Sequence, residues 1–147
     1  MPTAAKLIAA LAFGVVVYLA ALAFVPGLPE GTPIGRFPQV AGAMGLLCGW
    51  AVMGAAVGRG GYGTAVLNGW RTSLTAALAL DVLFSVSQMV ELSTRGRYDN
   101  PMRAILGTFE LAVDYLLMAM TWPVLGILLA GGAIGGILAE MAHRRWR

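Results

Sequence analysis

Charge is scarce in this sequence. Only 12% of its 147 residues are charged, about half the ~25% of ordinary soluble proteins. Ten basic and seven acidic side chains cannot coat a soluble globule of this length, which excludes a water-soluble enzyme of the usual kind. Cysteine and histidine are scarcer still, with Cys48 and His143 the single examples of each. One cysteine cannot close an intramolecular disulfide. One cysteine and one histidine cannot build a tetrahedral metal site or a bis-histidine haem site. The residues therefore offer no ligand set for a metal or a bound cofactor. The glycine-rich Gly58–Gly63 segment lacks the GK[ST] continuation of a phosphate-binding loop. The basic tail His143, Arg144, Arg145 and Arg147 around Trp146 is too short to argue for nucleic acid. Beside an apolar helix it reads as an anchor on anionic lipid.

What is abundant is apolar. Hydrophobic residues make up 59% of the chain, against roughly 45–50% in an ordinary domain. The composition predicts a small all-α integral membrane protein with a single membrane domain over residues 1–147. Four runs are long enough to cross a bilayer, which takes about 20 residues. They cover about 4–25, 39–57, 65–92 and 123–142. Thr3 is placed to cap the first run, and Pro26-Gly27 ends it. A rival reading of that run is a secretory signal peptide, with Lys6 as its basic region and Ala21-Leu22-Ala23 as the cleavage form. The proline- and glycine-rich segment 26–38 is a loop.

Residues 101–120 differ from the four spans. Asn100-Pro101 marks a helix start. Met102, Ile105, Leu106, Phe109, Val113, Leu116 and Leu117 then recur at helical spacing, with Arg103, Glu110 and Asp114 on another face. This is the pattern of an amphipathic interfacial helix, and the expected architecture is a four-helix bundle plus that helix. A fifth span is the alternative, since crossing would leave three basic residues on one side and seven on the other. It would also bury Glu110 and Asp114 at a cost of a few kcal/mol each. With four spans, Lys6, Arg59, Arg71, Arg144, Arg145 and Arg147 share one side, against Arg36, Arg95, Arg97 and Arg103 on the other. The positive-inside rule then puts both termini in the cytoplasm.

Two kinds of residue stand out within the spans. The first is glycine, of which there are twenty. Ala41, Gly45 and Gly49 are spaced by four, and Gly131, Gly132, Gly135 and Gly136 form two overlapping GxxxG pairs. Such stripes let backbones approach closely, so Gly45, Gly49, Gly132 and Gly136 are the expected packing positions. They would meet other helices of this chain, a second copy, or another membrane protein. The second kind is charge at depth. Arg71 near the start of the third span can snorkel to the headgroups or bind an anion. Asp81 lies mid-span and is the costliest residue. It should face the interior or a partner subunit and hydrogen-bond a Trp, Tyr, Ser or Gln, with Trp50, Tyr18, Ser85 and Gln88 within the right depth. Arg71 lies about 15 Å away along the helix and cannot pair with it directly.

Several segments carry a resemblance. They are Met-Pro-Thr-Ala-Ala-Lys-Leu (1–7), Leu-Pro-Glu-Gly-Thr-Pro (28–33), Gly-Leu-Leu-Cys-Gly-Trp-Ala-Val-Met-Gly (45–54), Arg-Tyr-Asp-Asn-Pro-Met (97–102) and the closing Gly-Gly-Ile-Leu-Ala-Glu-Met-Ala-His-Arg-Arg-Trp-Arg (135–147). In order and from end to end, the chain resembles the TrgA family, small tellurium-resistance-associated membrane proteins of alphaproteobacteria. The resemblance implies a bacterial inner-membrane protein linked to resistance to tellurium oxyanions. It implies no catalytic residue, because no segment is a catalytic motif. Ala51 stands where the family pattern leads one to expect arginine, which removes a basic group from the second span. The expected function is non-enzymatic, by altered oxyanion entry or exit. The alternative is an accessory or assembly subunit of a larger membrane complex.

Overall fold

The computed structural model describes residues 2–32, 34–94, 96 and 100–146. Among them there are helices and turns but no strands. Four helices are long and apolar enough to cross a membrane. They are α1 (Pro2–Phe24), α2 (Phe37–Ala56), α3 (Tyr62–Thr94) and α5 (Trp122–Arg145). The amphipathic α4 (Pro101–Ala119) stands between the last two. The chain is an all-α membrane bundle.

The boundaries follow local chemistry. α1 begins at Pro2, so Thr3 lies in its first turn and not at a cap. α2 starts at Phe37 because Pro38 falls in the first turn, where its missing N–H costs nothing. Asn100 and Thr121 take extended backbone before α4 and α5, yet neither side chain makes a capping hydrogen bond. Arg95 and Arg97, expected in the α3–α4 loop, and Arg147 of the basic tail lie outside the described residues.

α2 contains one irregularity, a π-helical turn over Gly49–Met53. Phe37, Ala41, Gly45, Gly49 and Met53 are all buried and spaced by four. In a regular α-helix each four-residue step overshoots a full turn by about 40°. The wider π turn takes back part of that drift, so a single stripe keeps facing α1 along the whole helix.

α3 is the polar helix, and three of its hydroxyls are satisfied within it. The hydroxyls of Thr72, Thr75 and Ser87 donate to the carbonyls of Asn68, Arg71 and Leu83, one turn back, at 2.7–2.8 Å. Such bonds remove polar groups from competition with lipid. With 33 residues, α3 is about 50 Å long and outreaches the ~30 Å hydrocarbon core.

The helices pack in the order α2, α1, α5, α3, with α4 along the end of α3. Trp70 on α3 donates its indole N–H to the Leu129 carbonyl on α5 at 2.9 Å. α4 does not stand apart from the bundle. It folds back antiparallel to α3, with Gly107 and Leu111 level with Leu92 and Tyr115 level with Phe84. At this end of the bundle Phe24, Phe37, Phe84 and Tyr115 form a closed cycle of rings from four helices, with centroids 4.6–6.5 Å apart. At the opposite end the start of α1, the α2–α3 turn and the end of α5 come together. Lys6 lies against Gly54, His143 against Gly58, and Arg144 over the Tyr62 ring at 4.7 Å.

Candidate functional site

Glycine sets the helix spacing. A Cβ at Gly45 would strike the Phe13 carbonyl oxygen of α1, and one at Gly49 would meet the Ala9 carbonyl oxygen at 2.6 Å. On α5, Gly132 faces Ser73 and Gly69 of α3, and Gly136 faces the Ala65 carbonyl. The companion pair Gly131 and Gly135, one residue earlier on the helix, faces Val16 and Phe13 of α1. The doubled glycines thus serve two neighbours at once.

Asp81 is half-buried and borders an apolar cavity of about 70 Å³ beneath the aromatic cycle. Its expected partners are placed unevenly. Trp50 and Tyr18 are exposed on the outside of the bundle. Ser85 is buried one helical turn after Asp81, with its Oγ unbonded. Gln88 lines a separate outer groove with Arg36 and Glu91. No hydrogen bond to the Asp81 carboxylate is found among the described residues, so the expected bond to a Trp, Tyr, Ser or Gln is absent. The polar group that shares its cavity is Tyr115 of α4. Sequence spacing did not point to Tyr115, because it lies off the apolar stripe of its helix.

Arg71 is exposed and lies elsewhere. It lines a groove of about 310 Å³ between the end of α2 and the start of α3, with Arg59, Asn68, Ala51, Val52 and Ala55. Arg71 and Asp81 therefore open on different cavities, and the structure does not bring them together. No acidic side chain lines the Arg71 groove.

Glu140 is a residue that sequence reasoning passed over. It is only 3% exposed. One carboxylate oxygen accepts the Gly58 N–H at 3.1 Å and the other accepts Arg144 Nε at 3.1 Å. The Arg144 bond was legible as an i, i+4 pair. The Gly58 bond joins positions 82 apart and leaves no trace in local spacing. Glu110 and Asp114 are exposed on the polar side of α4, facing a cleft with Arg103 and Leu92. Cys48 is a buried free thiol in the main hydrophobic core. Among the described residues no three His, Cys, Asp or Glu side chains gather as a metal site would need.

No family model, curated protein or solved structure matches this chain. Its chemistry must be argued from its own residues.

Proposed function

We propose that this chain is a TrgA-type protein: a non-enzymatic, multi-pass protein of the bacterial inner membrane associated with resistance to tellurium oxyanions. The observation that carries the reading is the ordered series of resembling segments, from residues 1–7 to residues 135–147. The four membrane-length helices agree with it. Deletion of the gene should sensitise cells to tellurite, and the intact chain should restore resistance. Equal growth of deleted and parent strains in tellurite would overturn the proposal.

Both termini are assigned to the cytoplasm. The start of α1 and the end of α5 share one end of the bundle with the α2–α3 turn, and that end carries Lys6, Arg59, Arg71, Arg144 and Arg145. The positive-inside rule supports the orientation. Reporter fusions at the two termini should both report cytoplasm, and opposite locations would sink the four-span topology.

A second reading, an accessory or assembly subunit, draws on α4. Met102, Ile105, Phe109, Val113 and Leu117 are each more than half exposed and run along one face of that helix. A helix with such a face suits either lipid or another protein. Co-purification of a stoichiometric membrane partner, lost on Phe109→Glu, would favour this reading over direct action on oxyanions.

A further inference from the structure

The groove between the end of α2 and the start of α3 has two chemistries in one space. Its wall is Ala51, Val52, Ala55 and Ala56, small apolar side chains on a membrane-length helix. Its rim is Arg59 and Arg71 with the Asn68 amide. Neither guanidinium has an ion-pair partner among the described residues, and no acidic side chain lines the groove. The nearest carboxylate of this bundle end, Glu140, is already engaged by Gly58 and Arg144.

The two arginines reach the groove from different depths. Arg59 follows Gly58, whose φ of +82° turns the chain out of α2. Arg71 lies nine residues into α3, about 14 Å below its first residue. Its side chain lines the same groove as Arg59, and an arginine at that depth is long enough to snorkel toward the loop end of the bundle. Two unpaired guanidiniums around one space repel each other, and an anion between them removes that repulsion. Guanidinium forks match phosphate oxygens in bidentate geometry.

We infer that this groove binds one anionic phospholipid, with its phosphate on Arg59 and Arg71, the Asn68 amide donating to the headgroup, and an acyl chain along the alanine wall. A free oxyanion would use the arginines but has no use for the wall. Half of the groove's chemistry therefore argues for a lipid. The site does not depend on any role in tellurite resistance.

The test is native mass spectrometry of the full-length protein released from zwitterionic micelles, titrated with phosphatidylglycerol, phosphatidylcholine or inorganic phosphate. The expected result is a single retained phosphatidylglycerol, preferred over phosphatidylcholine by roughly tenfold or more. R59Q with R71Q should abolish the preference, whereas R36Q with R103Q, at the other end of the bundle, should keep it. Ala55→Trp fills the wall without changing charge and should also weaken phosphatidylglycerol retention. Should the double arginine variant fail to fold, R59Q alone and Ala55→Trp carry the same comparison. Equal retention of both lipids, or equal loss in R36Q/R103Q, would overturn the proposal. So would saturation by inorganic phosphate that Ala55→Trp leaves unchanged, which would assign a free-anion site instead.

Discussion

Adding one methyl group should have opposite effects at two glycines. At Gly49 a Cβ would lie 2.6 Å from the Ala9 carbonyl oxygen, 2.9 Å from Ala10 Cα and 3.0 Å from Phe13 Cβ. All three are backbone atoms or the root of a side chain, so no rotamer change relieves the clash. Normal carbon contacts need about 3.5 Å, so α1 and α2 must part by close to 1 Å there. A gap of that size forfeits a quarter to a half of each neighbouring dispersion contact, and overpacking of this kind costs about 1–3 kcal/mol. Alanine returns up to about 1 kcal/mol through better helix propensity. The net for Gly49→Ala is a destabilisation of about 1–2 kcal/mol. At Gly126, in α5, a Cβ meets nothing within 4 Å, so only the propensity gain of up to about 1 kcal/mol remains. The propensity gain is common to both, so the two variants should differ by the overpacking cost, about 1–3 kcal/mol, read as the midpoint of denaturant-induced loss of helical circular dichroism in detergent. If Gly49→Ala is as stable as Gly126→Ala, the close approach of α1 and α2 is wrong.

Three further outcomes are expected. Glu140→Ala strands the Gly58 N–H and should cost about 1–3 kcal/mol, whereas Glu140→Gln keeps an acceptor for it and should cost clearly less in the same assay. Phe84→Ala breaks the ring cycle at its contacts with Phe37 and Tyr115. It should cost about 3 kcal/mol and speed proteolytic nicking in the α3–α4 loop, and an unchanged nicking rate would show that α4 is held by other contacts. Asp81→Asn should fold like the parent, since the carboxylate has no hydrogen bond to lose among the described residues. If tellurite resistance then falls, the charge at residue 81 is used, and if resistance persists it is not.

The bundle was legible in the sequence because membrane spans announce themselves by length and apolarity alone. The polar residues of α3 did not hide it, since Thr72, Thr75 and Ser87 bond within their own helix and need no distant partner. Helix starts were harder. Residues 37–38 and 62–63 read as loop because Pro38 and Gly63 are breakers by type, yet both sit in first turns, where a proline is harmless and a glycine is tolerated. The surroundings of Asp81 within the chain were illegible for another reason. Depth along a helix can be counted from sequence, but the direction in which a neighbouring helix turns its side chains cannot. Trp50 and Tyr18 have the right depth and face outward. Tyr115 arrives from a helix whose fold-back along α3 is a tertiary event. Glu140 and Gly58 meet for the same kind of reason, across most of the chain.

The twin glycine faces of α5 have a mechanical consequence. Gly132 and Gly136 are flush against α3 while Gly131 and Gly135 are flush against α1, so the helix is keyed into two slots at once. Rolling it about its axis by one residue step, about 100°, would drive Ile134 or Ile137 into a space sized for a hydrogen atom. α1, α5 and α3 therefore behave as a rigid spine. α2 is keyed to the same spine through Gly45 and Gly49, so movement falls most easily to α4, which the spine holds through Tyr115 against Phe24 and Phe84 and through its run along the end of α3.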